Sequence, residues 1–337
     1  MKKIVLFLTV LLIISCAYTL QKSAPDFVIS FGSCNKQYAE NILWKEISKN
    51  NPDVWIWGGD VIYSDTDNMN KLQSDYHAQW AQKGYKEFAN SLSVLGTWDD
   101  HDYGLNDGGE EFHMKKESQQ LFLDFINVPK NDQRRNREGV YHSQVFETKK
   151  GSIKIVILDT RYFRSGLTKS TEVAKRYQPN AYGEGTILGK KQWNWLHEEL
   201  TNSTADFNVI VSSIQLISYL HGFESWGNFP HEVDTLIKLV KTSKAKGVIV
   251  LSGDRHISEF SSIKTSDLTE GLVDFTSSGL THSYTSFSGE ENPNRLGNVV
   301  SEISFGLLNF NFDTKEVTMQ MKGKDNELQQ EYIQTYN

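Results

Sequence analysis

Val54-Trp55-Ile56-Trp57-Gly58-Gly59-Asp60 is an unbroken apolar run that stops on two glycines and a carboxylate. Such a run reads as a strand buried on both faces that delivers the residue after it to the carboxyl edge of a sheet. Three other stretches repeat the arrangement. Phe27-Val28-Ile29 leads to Phe31-Gly32-Ser33-Cys34-Asn35, Leu92 to Leu95 leads to Trp98-Asp99-Asp100-His101-Asp102, and Val248 to Leu251 leads to Ser252-Gly253-Asp254-Arg255-His256. Open α/β sheets place their ligand sites along that edge. Cys, Asp, Tyr and His gathered there form the ligand set of a transition metal, with carboxylates left for a harder cation. These features point to a metal-dependent hydrolase.

Around these runs, strands and helices mostly alternate, so the class is α/β with mixed sheets. Helical spacing is expected over Ala39 to Asn50, residues 69 to 90, residues 110 to 126, Gly189 to Leu200 and Val233 to Val240. Further buried strands are expected at Ile153 to Leu158 and Phe207 to Val211, with a late antiparallel hairpin turning near Asp313-Thr314-Lys315. No internal repeat or low-complexity linker divides the chain. The expected organisation is a leader over 1–16, a tether over 17–25, one domain over 26–325 and a tail over 326–337.

Lys2-Lys3 and the apolar run Ile4 to Ile14 make a charged and a hydrophobic region too short to span a bilayer comfortably. Ile13-Ile14-Ser15-Cys16 has the form of a bacterial lipobox, in which cleavage exposes the cysteine for lipidation. The expectation is an exported lipoprotein of the cell envelope, held to the membrane through lipid on Cys16. The alternatives are a plain signal peptide and an uncleaved anchor. The chain has 35 Lys+Arg against 42 Asp+Glu, a net charge of -7. That balance provides no footprint for nonspecific nucleic-acid binding. With Cys16 acylated, Cys34 has no disulfide partner, and it reads either as a metal-bound thiolate or as a buried inert thiol.

Each motif offers a chemical and a structural reading. Asp60 can bridge two cations through its two oxygens, or cap a following helix. Tyr63 reaches the same centre if its segment bends. Three carboxylates and an imidazole between Asp99 and Asp102 would repel one another without a countercharge, and a bound cation supplies it. Asp100 is the expected ligand there. His101 is a proton donor or phosphate contact, with Asp102 orienting it. Asn106 and Asp107 are further oxygen donors for a hard cation. Asp254 and His256 alternate along an extended segment and so face one ion together. Arg161, at the end of Leu158-Asp159-Thr160-Arg161, suits a bidentate phosphate contact, or else a structural pair with Asp159. His282 can line the site or sit elsewhere.

Taken in order, Gly32-Ser33-Cys34-Asn35, Gly59-Asp60 with Tyr63, Trp98 to Asp102, Leu158 to Arg161, Leu188-Gly189 with Gln192 and Trp195, Ser252 to His256 and Ser277-Ser278-Gly279 resemble the alkaline phosphatase D family. This is a PhoD-type branch of the calcineurin-like metallophosphoesterases, and the resemblance covers nearly the whole mature chain. It implies a four-layer αββα metallophosphatase sandwich, two mixed β-sheets flanked by helices. It implies that Cys34, Asp60, Tyr63, Asp254 and His256 hold Fe3+, and that Asp60, Asp100 and Asn106 contribute to one or two Ca2+ sites. The implied reaction is phosphate-ester hydrolysis, of diesters at least as readily as monoesters. A metal-bound oxygen nucleophile would attack phosphorus in line, with Arg161 clamping a nonbridging oxygen. A sulfate-ester hydrolase and a noncatalytic phospho-ligand-binding lipoprotein are the alternative readings. Longer family members carry an N-terminal β-sandwich domain, and their motif usually ends in Glu where Asp102 stands here. The expectation is therefore a compact subfamily.

Overall fold

The computed structural model describes residues 24–337, so the leader and Cys16 lie outside the described residues. Two large sheets form the centre of the molecule. The first carries, in spatial order, Leu328–Thr335, Glu316–Lys322, Phe305–Asn311, Phe27–Gly32, Val54–Gly58 and Ser93–Thr97. The second carries Arg295–Val300, Ser258–Thr265, Leu268–Ser277, Val248–Ser252, Phe207–Val211, Ser152–Ile157 and His142–Glu147. In each, the strands that lead into the chemical motifs are mutually parallel; antiparallel strands finish both edges of the second sheet and one edge of the first, whose other edge is Ser93–Thr97 itself.

The opening stretch explains the layering. Successive strand side chains point to opposite faces, so Val54 and Ile56 enter one core while Trp55 and Trp57 enter another. The first core lies between the sheets, where Ile29, Phe31 and Ile56 meet Val209, Ile249, Leu251 and Phe275. The second lies under the helices Trp44–Ser48, Met69–Ala81, Tyr85–Ser91 and Lys115–Phe125, with Trp44 edge-on to both Trp55 and Trp57. A third covers the other sheet, where Val156, Ile210 and Val250 pack under Gly189–Thr201 and Pro230–Ser243. The result is the four-layer αββα sandwich.

Three expectations are revised. The helix expected over Ala39 to Asn50 shrinks to Trp44–Ser48. Residues 69 to 90 form two helices, because Gly84 takes a left-handed conformation (φ 84°) and turns the chain. Residues 326–337 are no tail. Leu328–Thr335 pairs antiparallel with Glu316–Lys322, Gln334 donates to the Gly271 carbonyl, and Tyr336 is buried beside Phe207. An edge strand half-exposed to water carries few apolar residues, so its alternation is faint in sequence.

Candidate metal centre

The loops that leave Gly32, Gly58, Thr97 and Ser252 converge on one point, and they bring Cys34, Asp60, Asp100, Asp254 and His256 together. The Cys34 thiol donates to Asp60 Oδ2 (3.3 Å), and the Tyr63 hydroxyl donates to the same oxygen (3.2 Å). Tyr63 Oη also lies 2.9 Å from His256 Nε2. Cys34 is buried within the cluster rather than apart from it. Sγ lies 3.0 Å from Ser278 Oγ, which also accepts the His256 N–H.

The backbone makes this convergence possible in a way that sequence alternation does not convey. Cys34, Asp60, Asp254 and His256 all have left-handed φ, at 59°, 49°, 70° and 54°. Asp254 and His256 thus meet the site from a tight turn rather than along an extended strand. Non-glycine residues in this region carry local strain, which tends to collect at functional sites. Gly59 (φ 97°) sits in the same turn as Asp60, and a Cβ there would lie 2.6 Å from the Asp99 Cβ.

Asp100–Tyr103 is a single helical turn capped by Asp99. Asp102 has a different role from the one expected. Its Oδ1 accepts the Asp99 N–H (2.6 Å) and its Oδ2 the Val61 N–H (3.1 Å), so it ties the Asp100 loop to the Asp60 loop. His101 is oriented instead by Asp65, whose two carboxylate oxygens each lie 2.8 Å from Nδ1. The His101 ring also lies against Tyr63, with centroids 4.1 Å apart. Asp100 accepts the His101 N–H and the Asp107 N–H. Asn106 is exposed on the rim of the same cavity, and the adjacent Asp107 amide makes the contact with Asp100.

Arg161 is the largest revision. It is fully buried, donating from Nε to Asp99 Oδ1 (2.6 Å) and from Nη1 to Glu224 Oε2 (2.6 Å). Its guanidinium lies beneath the site between Asp99 and Glu224 and does not face a substrate. Nor is Asp159 its partner; that carboxylate accepts from Trp98 Nε1 and from the Val140, Arg161 and Tyr162 amides. Glu224 and Asp65 were not foreseen. Glu224 lies far along the loop that leaves Phe207–Val211, whereas Asp65, five residues past Asp60, carried a local signal. His282 does line the site, its ring 4.4 Å from that of His256.

The electrostatics are those of an anion cluster. Burial, then the neighbouring Cys34, Asp100 and Asp99, drive the Asp60 carboxyl well above its ordinary range. Burial with Asp99 and Asp100 lifts Asp254 to about 8, and burial with Asp254 lifts the Cys34 thiol to about 11. Burial disfavours a charged His101, but Asp60, Asp65 and Asp100 outweigh it and push the imidazole to about 11. Asp60 Oδ1 is buried with no hydrogen-bond partner among the described residues. That lone oxygen and the donor set fit a cation-binding centre. Cys34, Tyr63 and His256 offer S, O and N donors suited to a transition metal, while Asp60, Asp99, Asp100 and Asp254 offer carboxylates to a harder ion. Asp60 belongs to both groups.

A four-layer sandwich with such a cluster at its strand ends defines the metallophosphatase class. Residues 28–326 match the model of the PhoD-like phosphatase family, and the chain belongs to that family. It is 24% identical over 282 residues to alkaline phosphatase D of Bacillus subtilis (strain 168), an alignment covering 70% of this chain and 47% of that one. The chain thus spans about half the length of this curated relative. The solved structure of PhoD superimposes with a TM-score of 0.68 at 19% identity, over 93% of this chain and 69% of the other. A dimetal phosphatase from Danio rerio superimposes at 0.54 with 14% identity, over 93% and 100%. At these identities the structural likeness speaks to the fold.

Proposed function

We propose that the chain is a metal-dependent phosphoric ester hydrolase. The observation that carries this reading is the Asp60 carboxylate, which takes the Cys34 thiol and the Tyr63 hydroxyl on one oxygen and keeps the other free beside Asp100 and Asp254. Cys34, Tyr63, Asp254 and His256 would hold ferric iron with Asp60. Asp60 and Asp100, with Asn106 at the rim, would hold one or two calcium ions. When bound, these cations supply charge neutralisation for the phosphate and a lowered pKa for a coordinated water. The protein's own contribution lies in placement. His101, held by Asp65, faces the cavity, placed to protonate or stabilise the leaving group. Arg161 and Asp102 brace the loops that carry Asp99, Asp100 and Asp60.

Hydrolysis of bis-p-nitrophenyl phosphate, with iron and calcium supplied, tests the reading. Turnover abolished by chelator and by Asp254→Asn is expected. Absence of turnover in protein with measured metal sinks it, and turnover of p-nitrophenyl sulfate alone moves the assignment to sulfate esters. Iron bound by Tyr63 and Cys34 should give a visible charge-transfer band that weakens in Tyr63→Phe and Cys34→Ser. A colourless protein with full metal content excludes iron. Residues 1–23 carry a separate proposal, lipid attachment at Cys16, which rests on Lys2-Lys3 and Ile13 to Cys16. Mass spectrometry of the wild-type protein should show an acylated N-terminal Cys16, and a chain that carries no acyl group there overturns the proposal.

A further inference from the structure

A groove of about 360 Å³ runs beside the candidate metal centre. Its walls come from the short strand Tyr177–Gln178, the loop before Glu224, and the first turns of Pro230–Ser243. Tyr177, Pro179, Leu220, Phe223, Val233 and Ile237 give it a largely apolar lining. This size and character are typical of a small-molecule site. Tyr219 and Phe223, on the same walls, keep 41% and 38% of their surface exposed. Large aromatics left open together in one concavity mark a place where something binds.

The groove adjoins the cavity of the candidate metal centre, which measures about 400 Å³ and includes Asp100, His101, Asp254 and His256. Phe223 lines both. Its amide donates to His221 Nδ1, and the Arg255 guanidinium covers its ring at 4.2 Å, so the dividing wall is fixed. Tyr177 joins the two differently. Its ring lines the groove while its hydroxyl donates to the Asp107 carboxylate, and the Asp107 amide donates to Asp100. One compartment therefore suits a phosphoryl group among cations, and the apolar side of the other can bury hydrocarbon, with Glu172, Lys175 and Asp234 also among its lining.

We propose that the groove holds the apolar organic arm of the ester, so that the preferred substrates are phosphate esters bearing a hydrocarbon group. This deepens the phosphoesterase reading and rests on it. Methyl, butyl and octyl p-nitrophenyl phosphate, kept below their micellar concentrations, provide the test on metal-replete protein. kcat/KM should rise along the series, with a ceiling of about fourfold for each methylene fully buried. Ile237→Ser and Phe223→Ala should flatten that rise while leaving the thermal midpoint of unfolding near wild type. Turnover independent of chain length overturns the proposal and leaves the groove to a protein partner. Should no ester react, the phosphoesterase reading fails by itself, and calorimetric binding of octyl phosphate against methyl phosphate decides the groove. Tighter octyl binding that Ile237→Ser weakens supports it, and equal affinities overturn it.

Discussion

Arg161 shows how one residue can be catalytically relevant without touching substrate. Its guanidinium joins Asp99 and Glu224 with no exposed surface. Removing one partner of a buried ion pair strands the other charges, at about 3–5 kcal/mol. Arg161→Met should lower stability by that order in urea denaturation, and a loss below 1 kcal/mol would contradict the arrangement. Asp65→Ala addresses the imidazole directly. It should lower kcat about tenfold or more with little change in KM, and His101→Ala should mask it in the double variant. An additive double variant would show that Asp65 acts elsewhere. The ligands were legible because each follows a buried strand. Of their supports, Asp65 stands only five residues past Asp60, whereas Glu224 reaches the site by loop geometry that carries no periodic signal.

The strand-to-loop turns are the elements that assemble the centre. Gly59 has φ 97°, and an added Cβ would also meet Ser213 Cβ at 3.0 Å. Gly59→Ala should therefore reduce bound metal per chain and lower the unfolding midpoint together, as read by elemental analysis and calorimetry. Full metal content at normal stability would refute the crowding argument. Strands buried on both faces were readable from their apolar runs, as Val54 to Trp57 illustrates. Helix limits were less so. Between Met69 and Ser91 the aromatic spacing persists across the break, which the extended backbone of Gln82 (ψ 136°) and the left-handed Gly84 (φ 84°) make together.

Across the whole molecule, the two sheets close on their last strand. A chain ending at Asp325 would leave Glu316–Lys322 as a bare edge and uncover Met319 and Met321, buried in the inter-sheet core. Such a truncation should be insoluble or unfolded by circular dichroism; a soluble, cooperatively folding product would contradict this. Acid sensitivity is also global. Burial, then the nearby Arg134, lowers the His142 pKa to about 3, and burial with Arg255 does the same for His221. An unfolded chain protonates these imidazoles near 6.5. Each thus favours the fold above that pH, and the contribution is lost as pH falls from about 6.5 toward 3. The contribution of His142 is read as a difference: between pH 6.5 and 3 the unfolding midpoint of wild type should fall relative to that of His142→Asn, and parallel curves would contradict it.

The left-handed ligands have a consequence for mutational drift. A single base change turns an aspartate codon into one for asparagine or for valine. Asparagine sits comfortably at the positive φ of Asp60 and Asp254, whereas a branched side chain does not. One substitution would silence the chemistry and keep the shape, while the other would disturb the backbone as well. Which nucleotide changes therefore decides whether a descendant inherits a quiet scaffold or a broken one.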